Sequence, residues 1–164
     1  MKKGLCATAD LCDKFGDKIA YVAPLFQLYG GKRHFGGQIV TVKCFEDNSF
    51  VKTTLAKPGE GKVLVIDGGA SLRKALVGDL IAAEAVKNRW EGIVVNGCIR
   101  DSEKINTMPE IGIKAINTHP RKTEKKNIGE VEVTVEFGGV KFVPGQYLVA
   151  DADGIVVADF DITQ

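Results

Sequence analysis

The sequence predicts an α/β sandwich whose sheet is parallel in its middle and antiparallel towards the carboxyl end of the chain. Three observations carry that expectation. Lys62-Val63-Leu64-Val65-Ile66-Asp67 and Gly92-Ile93-Val94-Val95-Asn96 are nearly continuous apolar runs of strand length, the pattern of strands covered on both faces. Between them, Gly78 to Trp90 is rich in alanine, with apolar residues recurring at three and four, as a helix with one buried face requires. Strand, helix, strand in this order is a βαβ unit with parallel strands and a right-handed crossover. Further on, Val131 to Phe137 alternates strictly, Gly138-Gly139 supplies a tight turn, and Val140-Lys141-Phe142-Val143 returns, which is an antiparallel hairpin.

The remaining elements follow in chain order. Thr8 to Phe15 reads as a short helix capped by the Thr8 hydroxyl, with Leu11, Cys12 and Phe15 on one face and Gly16 ending it. Gln38 to Phe45 has the β-branched content and alternation of a strand, and Glu46-Asp47-Asn48 is its turn. Ser49 to Ala56 reads as a second short helix, stopped by Pro58-Gly59. Gly112 to Asn117 reads as a strand, and Arg121 to Asn127 as a charged loop with solvated Lys and Arg side chains. Gln146 to Ala150 and Ile155 to Ala158 are the last strands, separated by the turn residues Asp151 and Asp153-Gly154.

No linker, composition break or solenoid repeat divides the chain, so residues 1–164 read as one domain. A chain of 164 residues that is 45% hydrophobic removes roughly 70% of its unfolded surface from water without staples. The four cysteines, Cys6, Cys12, Cys44 and Cys98, form no C-x-x-C pair, and His34 and His119 lie far apart. The cysteines therefore read as small buried hydrophobes rather than as disulfides or a structural zinc site. With 22 basic and 21 acidic residues, no global field draws the chain onto nucleic acid or an acidic membrane. The amino terminus lacks the apolar run of a signal peptide, and no stretch approaches the roughly 18 apolar residues of a membrane span. The expected location is the cytoplasm.

Several chemistries fail on pattern. There is no G-x-S-x-G elbow and no cysteine context that marks a thiolate. Gly59-Glu60-Gly61-Lys62 is followed by a strand where a phosphate loop needs a helix, and Gly68-Gly69-Ala70-Ser71 lacks dinucleotide spacing. His34, in a glycine-rich stretch that could bind an anion, reads as part of a surface loop, and His119 before Pro120 as incidental. Two loops at the carboxyl ends of the parallel strands remain, the place where open sheets collect ligands. Gly78 opens the long helix, leaving the first-turn amides of Asp79, Leu80 and Ile81 to face an anion. Arg100 offers a bidentate fork to a carboxylate, and Asp101 a hard oxygen to Mg²⁺ or Mn²⁺. The bland alternative is that Arg100 and Asp101 form no more than a surface ion pair.

At these residues the sequence resembles the RraA-like family, which contains regulators of ribonuclease E activity and class II 4-hydroxy-4-methyl-2-oxoglutarate aldolases. The resemblance runs through Thr8 to Asp13, Phe35-Gly36-Gly37, Val65 to Asp79 and Trp90 to Asp101, and resumes at Phe137 to Val140 and Ala150 to Ile155. It implies a swivelling β/β/α sandwich assembled as a homotrimer. It also implies that Gly78, Asp79, Leu80 and Ile81 form a substrate-binding loop, that Arg100 holds the pyruvyl portion of a keto acid, and that Asp101 binds the divalent metal.

The implied reaction is cleavage of a carbon–carbon bond beside an α-keto acid, releasing pyruvate as its enolate, with Arg100 and Asp101 as the catalytic residues. Decarboxylation of oxaloacetate leaves the same enolate, so one lyase site serves both. Asp79 and a metal-bound water are both candidates for the base. One position departs from the aldolase pattern: an acid is expected three places after Asp101, where this chain has Lys104, with Glu103 one place early. The retained Asp101 nevertheless favours metal binding. The competing function is a protein that inhibits ribonuclease E by contacting it. A third family label, menaquinone methyltransferase, is set aside because no glycine-rich adenosylmethionine loop accompanies a strand.

Overall fold

The computed structural model describes residues 4–164, and the first residues of the amino terminus read above for a signal peptide lie outside them. Helix α1 (Thr8–Phe15) and a 3₁₀ turn (Gly16–Lys18) lead into β1 (Ala20–Tyr21), β2 (Gln27–Tyr29) and β3 (Phe35–Lys43). Then come α2 (Ser49–Leu55), β4 (Lys62–Asp67), β5 (Ala75–Val77), α3 (Asp79–Lys87), β6 (Gly92–Ile99), α4 (Ser102–Asn106) and β7 (Ile113–Thr118). The chain closes with β8 (Glu130–Val131), β9 (Val135–Phe137), β10 (Val140–Phe142), β11 (Tyr147–Ala150) and β12 (Ile155–Ala158).

The main sheet has the order β1-β12-β11-β3-β4-β6-β7-β2, with β5 added beside β6 and β8 beside β3. Its centre, β3-β4-β6-β7, is parallel, and β11, β12, β1 and β2 join antiparallel. The expected α/β sandwich with a mixed sheet is the observed one. One face buries Leu64, Ile66 and Val95 against Val51 and Leu55 of α2, Ala82 and Ala85 of α3 and Ile105 of α4. The other face buries Val63, Val65 and Val94 under the two-stranded β9–β10 sheet, where Phe137 and Phe142 stack at 4.3 Å between centroids. Phe35 sits wholly buried on that side. It fits because Gly92 and Gly112 present no side chain: a Cβ on either would overlap its ring.

Several local expectations are corrected. Thr8 does not cap α1; the N-cap is Ala7. The Thr8 hydroxyl instead donates to Asp151 at 2.7 Å, pinning the helix to the loop after β11. Cys12 does not share the buried face of Leu11: Cys6 and Cys12 are exposed, and only Cys44 and Cys98 are buried. The β3 strand begins at Phe35 rather than Gln38, because Phe35 to Gln38 pair with β11, and it ends at Lys43. The long helix stops at Lys87, where Arg89 takes a left-handed φ of 64° and turns Trp90 inward to donate its indole N–H to the Lys57 carbonyl. The alternating run from Val131 is broken at Glu132, also left-handed at φ 55°. Its first part pairs with β3 and its second crosses to the hairpin.

The strands that position the site are β5 and β6. Sequence reading places no strand at Ala75–Val77 and ends β6 at Asn96. In the fold β5 lies parallel to β6 with Ala75 opposite Cys98 and Val77 opposite Ile99. That pairing carries β6 on to Ile99 and delivers Arg100 beside Gly78.

Candidate active site

The parallel register of β5 and β6 sets the geometry. With Val77 opposite Ile99, the chain leaves both strands side by side, and the Arg100 amide donates to the Val77 carbonyl at 2.9 Å. Arg100 is then followed by Asp101 in the left-handed region, φ 58° and ψ 37°, a conformation that aspartate tolerates better than most residues. This turn folds the Asp101 carboxylate back over the start of α3. There Oδ2 accepts the Asp79 N–H at 3.1 Å. Asp101 thereby caps α3 from another segment, where the N-cap residue Gly78 has no side chain to do so.

Gly78 is required here by space rather than by conformation. Its backbone is extended, but a Cβ would stand 2.9 Å from Asp101 Oδ2 and 3.4 Å from Arg100 Cγ. Arg100 and Asp101 approach each other at 4.0 Å, and Arg100 also donates to the Pro120 carbonyl at 3.4 Å. The arginine is thus held at the edge of a cleft rather than used up in a tight pair. The cleft has a volume of about 640 Å³, within the range of small-molecule sites. Gly78, Asp79, Leu80, Ile81 and Arg100 all line it. Asp101 is not among the lining residues and meets the site through its bond to the Asp79 amide.

Two features differ from the sequence reading. The Asp79 amide is not free for a ligand, since Asp101 occupies it. And Lys104, the residue that departs from the aldolase pattern, donates to Asp79 Oδ2 at 2.7 Å. The Lys104 ammonium is the largest cause holding the Asp79 carboxyl below its usual range, and Asp79 in turn raises the pKa of Lys104.

Among the described residues no group of three or more His, Cys, Asp or Glu side chains is arranged to hold a metal ion. A cation such as Mg²⁺ needs only one or two protein carboxylates when water and substrate complete its shell. Asp101 and the neighbouring Asp79 supply such hard oxygens, so the donor set fits an ion that keeps most of its water, with Lys104 competing for Asp79. The two buried cysteines offer no thiolate chemistry, because burial pushes the Cys44 thiol up to about 12 and raises that of Cys98.

Sequence reasoning missed the other wall of the cleft. The Lys and Arg residues of Arg121 to Asn127 are exposed, as expected, but the backbone of this loop is anchored. The Arg121 carbonyl accepts the Ala75 amide at 2.7 Å, Lys122 forms a bridge to Ala75, and buried Thr123 donates to buried Asn48 at 2.8 Å. The carboxylate of Asp47 accepts the amides of Lys126 at 2.8 Å and Ile128 at 3.1 Å. Lys122, Thr123 and Lys125 consequently line the cleft, together with Lys52 of α2. The adjacent Asp47 and Asn48, two side chains suited to binding backbone, were the only signal of this anchorage in the sequence.

Fold and site define a class: α/β sandwiches with a cleft, lined here by Gly78, Asp79 and Arg100, at the carboxyl ends of their parallel strands. Within that class the chain belongs to the RraA-like family, residues 8–157 matching the family described as Aldolase/RraA. A relative from Dechloromonas aromatica, named "Putative 4-hydroxy-4-methyl-2-oxoglutarate aldolase", is 57% identical over 160 residues, covering 95% of this chain and 98% of that protein. One of the same name from Pseudomonas paraeruginosa is 54% identical over 92% of this chain and 93% of its own. Among solved structures, the chain is similar to the RNA-processing inhibitor RraA from Thermus thermophilis, with TM-score 0.90 and 38% identity over 94% of this chain and 93% of the other. It is also similar to a Geobacillus kaustophilus protein named as an S-adenosylmethionine:2-dimethylmenaquinone methyltransferase, with TM-score 0.92 and 49% identity over 95% and 96%. No described helix is long and apolar enough to cross a membrane.

Proposed function

We propose that this protein is a carbon–carbon lyase of small keto acids that cleaves 4-hydroxy-4-methyl-2-oxoglutarate to pyruvate and decarboxylates oxaloacetate. The observation that supports this reading is the β5–β6 register, which brings Arg100 beside Gly78 at the start of α3 on one cleft, with Asp101 bonded to the Asp79 amide. The names of the relatives from Dechloromonas and Pseudomonas support the aldol cleavage.

In this reading Arg100 clamps the substrate carboxylate, and its positive charge favours the electron density that builds on the keto oxygen as the bond breaks. The Leu80 and Ile81 amides at the positive end of α3 face the same density. Asp101 would hold a divalent cation, Mg²⁺ or Mn²⁺, which when bound supplies a Lewis acid at the keto group. Asp101 also keeps the α3 turn and Arg100 in register, so one side chain serves position and charge. Asp79, ionised beside Lys104, is a weaker base than an ordinary carboxylate; it stands close enough to Asp101 to share a water that takes the hydroxyl proton. The reading includes a cytoplasmic homotrimer.

Pyruvate release from each substrate, with Mg²⁺ and with chelator, tests the proposal. Turnover that needs metal and collapses in Arg100→Ala and Asp101→Ala is expected; no turnover of either acid at saturating metal overturns it. The likeness to the Thermus inhibitor favours a second reading, in which the protein contacts and inhibits ribonuclease E. That reading predicts inhibition of the nuclease that both variants retain.

A further inference from the structure

The Arg100 guanidinium is held by a single hydrogen bond. Its Nε stands 4.0 Å from Asp101, and among the described residues its sole hydrogen-bond acceptor is the Pro120 carbonyl, 3.4 Å from Nη1. Where that carbonyl points therefore decides where the fork is held. The carbonyl belongs to the Pro120–Arg121 peptide, a rigid plane whose C=O and N–H face opposite ways. Its N–H end is taken by a side chain, since His119 Nδ1 accepts the Arg121 amide at 3.1 Å.

These contacts give a task to a histidine that looks incidental along the sequence. Just past β7, the His119 amide donates to the Ile99 carbonyl at 2.9 Å, and the Arg121 carbonyl accepts the Ala75 amide at 2.7 Å. The backbone is thus tied to β6 before the turn and to β5 after it. Between the two ties Pro120 has no N–H to offer, which leaves the Arg121 amide as the donor that can fix the peptide plane. A backbone amide only donates, so Nδ1 carries the lone pair and Nε2 the proton. The imidazole does here what a short polar side chain does in a turn, binding the amide two residues on. The contacts run from His119 Nδ1 through one peptide plane to Arg100 Nη1.

Resting on the keto-acid reading above, we infer that His119 is a positioning residue for Arg100: by fixing the Pro120–Arg121 peptide it holds the guanidinium at the cleft that Arg100 lines. It acts through Arg100 rather than on the substrate. Two substitutions separate the acceptor from the ring. Asparagine places Oδ1 the same number of bonds from the backbone as histidine places Nδ1, whereas leucine has no acceptor. His119 is half-buried, and its bond to Ile99 uses backbone atoms, so both variants keep that bond.

The first readout is nitrogen NMR of the Arg100 side chain in the full-length protein without substrate, its Nε signal assigned by its loss in Arg100→Lys. His119→Leu should shift that signal and lower its order parameter, and His119→Asn should keep both near the wild type. The second is pyruvate release from oxaloacetate with Mg²⁺. There kcat/KM should fall about tenfold in His119→Leu, and His119→Asn should retain most of it. In an Arg100→Lys background His119→Leu should lose most of its effect, because the group it positions is gone. An Arg100 signal that does not move in His119→Leu, full turnover in that variant, or a loss of equal size with and without Arg100 overturns the inference. So does an asparagine variant as impaired as the leucine one. A wild type that turns over no keto acid, while the Arg100 signal still answers to His119, would remove the proposed reaction and leave the positioning standing.

Discussion

The carboxylate of Asp101 accepts the backbone N–H of Asp79 at 3.1 Å, across 22 positions of sequence. One oxygen thus finishes the α3 turn while the side chain stays two-fifths exposed. The two roles separate by substitution. An asparagine at this position would keep an acceptor and suits the left-handed backbone, so Asp101→Asn is expected to unfold within about 1 kcal/mol of the wild type. Its pyruvate release should fall about a hundredfold. Asp101→Ala loses the cap as well and should cost a further ~1 kcal/mol. Thermal unfolding beside steady-state kinetics reads both, and an Asp101→Asn variant with full activity would deny the carboxylate its charge role.

Gly78→Ala probes the same junction from the other side. Alanine adopts the extended backbone of this position without strain, so stability should change by less than about 1 kcal/mol. The new methyl group must displace the Asp101 carboxylate, 2.9 Å away, and press on Arg100. A misplacement of this kind costs on the order of a hundredfold in kcat/KM. Kinetics with oxaloacetate checks it, and unimpaired turnover would show that this spacing is not used.

Lys104 tunes Asp79 through their 2.7 Å pair. The lysine holds the Asp79 carboxyl below its usual range, so the carboxylate stays ionised to lower pH than an unpaired one. If the ionised form serves the reaction, activity is lost as pH falls through the pKa of Asp79. Lys104→Gln removes the chief cause of the depression and should move the acid limb of kcat/KM to higher pH. It also frees a carboxylate beside Asp101, so half-maximal activity should need less Mg²⁺. A pH–rate profile that does not move would dissociate Asp79 from the chemistry.

The legible part of this molecule is whatever repeats along the chain. The buried runs at Lys62–Asp67 and Gly92–Asn96 and the alanine-rich α3 announce the βαβ centre, because burial on two faces and a helical period leave marks in consecutive residues. Gly78 and Arg100 are legible as helix-start and strand-end residues. Their convergence is expected from the shared carboxyl ends of parallel strands, but the contact itself is made by β5, a three-residue strand whose Ala75-Leu76-Val77 is too short to show a period. The strap at Arg121 to Asn127 hides for a related reason. Its charges look solvated along the sequence, and its fixation comes from Asp47 and Asn48, 79 and 75 positions before the residues they hold. Thr8 likewise looks like a cap along the sequence, whereas Asp151, 143 positions away, claims its hydroxyl.

The anchorage of the strap should itself titrate. Burial alone would raise the Asp47 pKa, but hydrogen bonds from the Ser49 hydroxyl and amide and from the Ile128 and Lys126 amides outweigh it and bring it down to about 2, against an ordinary 3.8. Because the folded value is depressed, the stabilisation is complete above the ordinary value and is lost as pH falls through about 2. Hydrogen exchange at Lys126 and Ile128 should therefore accelerate relative to the β4 and β6 amides as pH drops from about 4 towards 2. Asp47→Asn should reproduce that local loosening at neutral pH, at a cost of about 2 kcal/mol for the charge-assisted bonds it weakens. Protection at these amides that stays unchanged in Asp47→Asn would mean that the bonds through Asn48, Ala75 and Ser49 suffice to hold the strap.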